Sequence, residues 1–415
     1  MTGCILAATG LLGHIMSERG VTRRAILKSA WSATTLALPG VVGATSPSRA
    51  SDGMLQPAER EAISDVAYTY MAQYDIPGLS IAVAKDGEVV HAEGFGVVSR
   101  LLGASVNSSH LFRIASVGKP ITAVGIFALV EQGRLSPTDR VFGEHGILSE
   151  YQPPASDQYV GEITINHLLT HTVGGWGNDQ DDPMFAHRDM DHRHLIAWTL
   201  ENLPLLRQPG TRYAYSNFGY CLLGRIIEKV TGQSYADYIH QSVLVPSQAQ
   251  GMRIAGNALQ DRADSEVVYH RQEGDGLPYG MNVARMDSHG GWLASPLDLV
   301  RFMKRVYAPA QGAAILKSET VSAMTTPSVV NPHYARGWFV TGPNRWHSGS
   351  LPGTSSMMVQ TPSGLCWAAL ANSRDRFSTS VDGLDKALWM MFSKLKAWEA
   401  PTRACTHENG WCARL

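Results

Sequence analysis

Residues 112–119 read Phe-Arg-Ile-Ala-Ser-Val-Gly-Lys, and the stretch behind them carries apolar side chains at Ile121, Val124, Phe127, Leu129 and Val130. Recurrence at three and four residues is the period of a helix that packs one face on a core. Ser116 therefore stands at a helix start with Lys119 one turn further on, and Pro120 falls near the limit of what a first turn tolerates. An amine so placed reaches the serine oxygen. If burial or neighbouring charge depresses its pKa it can take the serine proton, and the helix start favours the anion that develops. Alone, Ser-x-x-Lys is a weak signal: Ser393 to Lys396 repeats it on an amphipathic segment, where it reads as a solvated helix face.

Upstream, Ile63, Val66, Ala67, Tyr70 and Met71 set a helical register over 56–74, closed by Pro77-Gly78. Residues 79–84 and 89–97 are strand-like runs joined by Lys85-Asp86-Gly87, whose Asp-Gly step suits a hairpin turn. Downstream, 163–170, 195–203 and 219–230 predict helices between long loops rich in Gly, Pro and Asp. Past Pro332 strands return at 335–341, 345–348, 354–361 and 365–372, the last two joined by Pro362-Ser363-Gly364. A final helix over 385–398 runs through Leu388, Met391, Phe392 and Leu395. This order predicts one α/β (α+β) domain over 51–398. An α/β lobe comes from both ends, 51–134 and 296–398, and a mainly helical lobe, 135–295, is inserted between them. Residues 399–415 form a tail.

Apolar residues make up 44% of the chain and charged residues 17%, a folded composition. Lys and Arg number 35 against 36 for Asp and Glu, with no basic run interleaved with aromatics, which argues against a nucleic-acid partner. Residues 1–50 read as an export signal and linker: Thr22-Arg23-Arg24, a mild apolar run over 30–42, then small residues at Val42 and Ala44. The arginine pair resembles the twin-arginine signal and implies a periplasmic or secreted protein. The run falls well short of the roughly 20 apolar residues that span a bilayer, so no stable membrane span is expected. The apolar stretch 5–15 is foreign to such a signal and points to Met16 as the start. Cys221 and Cys366 lie in apolar runs and read as core thiols, whereas Cys405 and Cys412 flank a polar segment that could close as a disulfide loop.

Two further elements turn the serine motif into a strong signal. Tyr215-Ser216-Asn217 is the one Tyr-x-Asn in the chain, and His347-Ser348-Gly349 lies on a predicted strand near the C-terminus. Ser-x-x-Lys, Tyr-x-Asn and a basic residue followed by Ser/Thr-Gly, in that order, resemble the penicillin-recognising serine hydrolases. That family comprises class C β-lactamases, D-alanyl-D-alanine carboxypeptidases, D-aminopeptidases and β-lactamase-like esterases. The segments 112–115, 167–175 and 219–224 are similar to it too, and the resemblance covers roughly 58–395. It implies a β-lactamase/transpeptidase-like fold, an antiparallel sheet flanked by helices. By position it implies Ser116 as the acylated nucleophile, Lys119 as the group that helps deprotonate it, and Tyr215 as shared general base and acid. Asn217 would hold the acyl side of the substrate, and the backbone N–H groups of Ser116 and Ser350 would form the oxyanion hole. No metal or cofactor is implied.

The departure is at His347. Relatives that bind a carboxylate commonly have Lys there, a permanent charge, whereas His is mostly neutral near pH 7. Small esters or peptide-like amides therefore come before β-lactams and D,D-carboxypeptidase substrates, and a non-catalytic binding protein on the same fold stands as the rival class. His171 is expected near the site as structural support. Trp176, in a glycine-rich loop, is open to two roles, lining the acyl pocket or filling the core. The carboxylates and imidazoles of 178–194 have the spacing of neither an EF-hand nor His-Glu-x-x-His, and read as a solvated loop without a metal.

Overall fold

The computed structural model describes residues 55–152, 154, 157–179, 182–307, 314–374 and 382–395. Helix α1 (Pro57–Tyr74) buries Ile63, Val66, Ala67, Tyr70 and Met71, the face its spacing predicts. Strands β1 (Gly78–Lys85) and β2 (Glu88–Gly96) follow as a hairpin. Its turn residues Asp86 and Gly87 have φ of 50° and 85°, the left-handed geometry that matches strand twist. A short strand β3 (Phe112–Arg113) and a 3-10 turn (Ala115–Val117) lead into α2 (Gly118–Glu131).

The middle of the chain supplies α3 (Ile165–Leu169), α4 (Pro183–Ala186), α5 (His192–Asn202), α6 (Asn217–Thr231), α7 (Tyr235–Ile239) and strand β4 (Arg253–Ile254). Then come β5 (Trp292–Ala294), α8 (Pro296–Tyr307), α9 (Ser318–Thr325), β6 (Phe339–Thr341), β7 (Asn344–Leu351), β8 (Thr354–Gln360), β9 (Leu365–Ala371) and α10 (Asp382–Phe392).

The main sheet has the order β2-β1-β9-β8-β7-β6 with every neighbouring pair antiparallel, so strands from the two ends of the chain meet at β1 and β9. Alternation assigns its faces. Leu79, Ile81 and Val83 of β1, with Trp367 and Ala369 of β9, join one core with α1 and α10. Ala82, Ala84, Cys366, Ala368 and Leu370 join the other, which runs on through α2, α6 and α8. Helix α2 lies inside that second core, with every residue from Gly118 to Leu129 buried. Cys221 and Cys366 are buried free thiols.

Two expectations are corrected. Residues 335–338 are not strand: Gly337 takes φ 86° and the Ala335 N–H donates to the Trp338 carbonyl, so a turn precedes β6. The last helix runs from Asp382 to Phe392 rather than over 385–398; Leu395 is buried beyond its end, and 396–398 lie outside the described residues. The export segment, Cys405 and Cys412 lie outside them as well. Among the described residues no helix is long and apolar enough to cross a membrane.

Trp367 is fully buried and packs edge-on to Trp389 and against Phe392, so it couples the sheet to α10. Trp367→Ala should cost about 3–5 kcal/mol through the cavity it leaves, read as a lower denaturation midpoint.

Candidate active site

Strand β3 fixes the segment that carries the serine. The Arg113 guanidinium, 1% exposed, donates to the carbonyls of Pro278 (2.6 Å) and Gly256 (2.9 Å) and lies over the rings of Tyr269 and Tyr279. Hydroxyls of β8 hold the next carbonyls: Thr354 Oγ1 donates to Arg113 O at 2.9 Å and Ser356 Oγ to Ile114 O at 2.6 Å. Ala115 then turns the chain at φ 46°, a conformation L residues rarely adopt, and Ser116 follows in the 3-10 turn, half-buried.

Lys119 is fully buried, and its Nζ has three polar neighbours: Ser116 Oγ at 3.0 Å, Asn217 Oδ1 at 2.7 Å and the His289 carbonyl oxygen at 3.1 Å. Asn217 Nδ2 donates to Asp182 Oδ2 at 2.7 Å, which turns the amide oxygen toward Lys119. Desolvation lowers the Lys119 pKa to about 7, with the Asp182 charge pulling weakly the other way. Near neutral pH the uncharged amine is therefore well populated. Its two N–H groups suit the two acceptor-only oxygens, and its lone pair is left for the Ser116 O–H.

Tyr215 lies half-buried beside the Ser116 side chain, its ring 4.7 Å from Lys119 Nζ. Burial pushes its phenol well above 10, so it stands there as an O–H donor. The Tyr-x-Asn segment is clamped from both sides. Asn178 N–H donates to Tyr215 O at 2.7 Å and Asn178 Oδ1 accepts from Asn217 N–H at 2.9 Å. His171 accepts from Ser216 N–H at Nδ1 (3.1 Å), and its carbonyl accepts from Ala214 N–H (2.8 Å). With its ring 4.2 Å from that of Tyr215, His171 sits where support was expected.

Strand β7 closes the site. A Cβ at Gly349 would lie 2.3 Å from Ile114 O and 2.9 Å from Ser116 N, so glycine is what lets the strand meet the serine turn. Ser348 and Ser350 on this strand are half-buried, whereas His347 is 1% exposed. Desolvation lowers the His347 pKa to about 3, helped by the Lys119 charge, so the ring is neutral.

Trp176 fills the core. Its ring packs edge-on to Phe142 and Phe218, and Nε1 donates to Leu203 O at 2.8 Å. The acidic segment is more than a solvated loop: Asp182 is buried behind the site and Asp191 caps α5 through His194 N–H. Asp182 and the His289 carbonyl were missed in the sequence reading. No local pattern marks a backbone oxygen, and Asp182 is one acid among several in a polar run.

Residues 63–387 match the family model described as Beta-lactamase. Penicillin-binding protein 4* of Bacillus subtilis is 29% identical over 307 residues, 68% of this chain and 64% of that protein, so the chain spans just under two thirds of its length. Penicillin-binding protein 4 of Amycolatopsis lactamdurans is 27% identical over 72% of this chain and 82% of its own. Among solved structures, the octameric penicillin-binding protein homologue from Pyrococcus abyssi aligns with TM-score 0.64 and 26% identity, over 79% of this chain and 77% of that one. The D-amino acid amidase of Ochrobactrum anthropi aligns with TM-score 0.68 over 81% and 98%, and at 19% identity this likeness concerns the fold.

The Asp182 carboxylate favours a charged Lys119, so Asp182→Asn should lower the Lys119 pKa further. The rate at which a fluorophosphonate labels Ser116 should rise with pH through about 7 in the native protein. In Asp182→Asn that midpoint should move to lower pH.

Proposed function

This chain belongs to the Beta-lactamase family, and we propose that it is an exported serine hydrolase working through acyl-Ser116 on small, uncharged carboxylic esters or peptide-like amides. The observation that carries this reading is the buried Lys119 amine, with two acceptors for its protons and the Ser116 hydroxyl as third neighbour. Ser116 Oγ attacks the substrate carbonyl carbon while its proton passes to Lys119 Nζ. The backbone N–H groups of Ser116 and Ser350 receive the oxyanion. When the bond to the leaving group breaks, the leaving group takes a proton from the Lys119 ammonium by way of the Tyr215 hydroxyl. Water then attacks the acyl carbon and gives its proton to the Lys119 amine, the bond from the acyl carbon to Ser116 Oγ breaks, and Oγ takes that proton back, so that the acid leaves and the neutral amine is restored.

Within this scheme Tyr215 serves as donor and relay. As a base it would have to ionise where burial opposes the phenolate. The names of the relatives, penicillin-binding proteins and a D-amino acid amidase, support peptide-like amides beside esters. The neutral His347 weighs against β-lactams and D,D-carboxypeptidase substrates, whose carboxylate would want a cation there. The complete set of Ser116, Lys119 and Tyr215 weighs against a binding protein that does no chemistry.

Hydrolysis of p-nitrophenyl butyrate should fall at least about 10²- to 10⁴-fold in Ser116→Ala and in Lys119→Arg, since a guanidinium cannot accept the proton. Unchanged turnover in Ser116→Ala would sink the proposal, and nitrocefin turned over much faster than the ester would replace esters by β-lactams. Export rests on Arg23-Arg24 and the apolar run behind them. Replacing both arginines by lysine should leave the protein inside the cell on fractionation, and unaltered export would remove the twin-arginine route.

A further inference from the structure

Tyr334 lies in the turn before β6, is fully buried and belongs to none of the sequence motifs. Its hydroxyl is 3.1 Å from His171 Nε2 and 3.4 Å from His347 Nε2. The partners at either end fix where the protons sit. Ser216 N–H donates to His171 Nδ1, so that nitrogen holds a lone pair and neutral His171 carries its proton on Nε2, where it donates to the Tyr334 oxygen. His347 Nδ1 lies 2.7 Å from the Ser348 carbonyl oxygen, which can only accept. His347 therefore carries its proton on Nδ1 and turns the Nε2 lone pair to the Tyr334 O–H. Donation runs one way, from Ser216 N–H through His171, Tyr334 and His347 to the Ser348 carbonyl. The Tyr220 hydroxyl also lies beside that of Tyr334, but its own proton goes to Leu169 O at 3.0 Å. As an acceptor a phenol oxygen is far weaker than an imidazole nitrogen.

We propose that Tyr334 is a positioning residue that holds His347 as an Nδ1-protonated, uncharged ring with both nitrogens occupied. A substrate carboxylate therefore finds no charged partner in His347, and the Arg374 guanidinium beside Ser350 is already paired with Asp275. The substrate half of this inference rests on the serine hydrolase reading above; the tautomer half does not. The groups facing His347 work in the same direction. Among the described residues they are Lys119 from α2, His171 behind Tyr334, Tyr215 ahead of α6, Tyr334, Phe339 from β6 and Met358 opposite it on β8, and none of them is an anion. Removing the Tyr334 hydroxyl takes away a donor that only the unprotonated Nε2 can use, so His347 should bind a proton more readily.

The test is the long-range ¹⁵N–¹H spectrum of the full chain labelled at histidine, with the His347 signal assigned by its loss in His347→Gln. In the native protein His347 should show the Nδ1–H pattern, unchanged from pH 8 to about pH 5. In Tyr334→Phe the Ser348 carbonyl should still hold the Nδ1 proton, but the freed Nε2 should take up a second proton at higher pH than in the native protein. The preference for phenyl butyrate over 3-(butyryloxy)benzoate, whose carboxylate is on the leaving group, should then shrink at about pH 5 by about tenfold, through KM rather than kcat, and His347→Gln in the same chain should cancel the gain. A native His347 protonated at Nε2, or titrating between about pH 5 and 8, overturns the proposal. So does a Tyr334→Phe protein with native spectrum and native preference. Should that variant not fold, the native spectrum alone decides. A failure of the hydrolase reading would appear separately, as turnover independent of Ser116.

Discussion

A lysine amine held out of water, with no carboxylate among the described residues in contact, is the constraint around which this site is arranged. Burying a charge is costly, and Lys119 meets that cost by giving up its proton near neutral pH. The geometry needed is demanding. Helix α2 must be covered on all sides, Asn217 must present its oxygen, and the His289 loop must bring a carbonyl within 3.1 Å. Asp182 sits one amide away, close enough to orient Asn217 but too far to form an ion pair that would hold Lys119 charged.

The same arrangement sorts the polar groups by depth. Ser116, Tyr215, Ser348 and Ser350 reach solvent, whereas Lys119, Asn217, Asp182 and His347 lie behind them. The half-buried layer is built of hydroxyls, and the amine that lies beside Ser116 Oγ is screened from water behind it. Gly349 permits this layering, since any side chain there would push β7 off the serine turn.

Much of this was legible in the sequence because it resides in motifs with fixed spacing. Ser116 and Lys119 lie one helical turn apart, and the Asp86-Gly87 hairpin and the helix over 56–74 follow from local rules. What escaped reading depends on contacts distant in sequence. The small sheet β3-β5-β4 is made of strands of two or three residues, too short to show a period. The turn at 335–338 looked like strand because Ala335 and Trp338 extend the apolar pattern of Phe339 and Val340, and Gly337 alone marked the break. Asp182 and Tyr334 act through partners that only the folded chain supplies. Trp176 shows the converse: its ring was open to two roles, and Phe142 and Phe218 decide between them.

The sheet order carries a consequence for the protein's birth. Strand β1 is finished by residue 85, yet β9, its inner neighbour, begins only at residue 365, and β7, which meets Ser116, begins at 344. A chain emerging from the ribosome therefore has Ser116, Lys119 and Tyr215 long before the strand that packs against them. Such long-range pairing is slow to form, and it defers the wall of the site until the strands from residue 344 onward have been made.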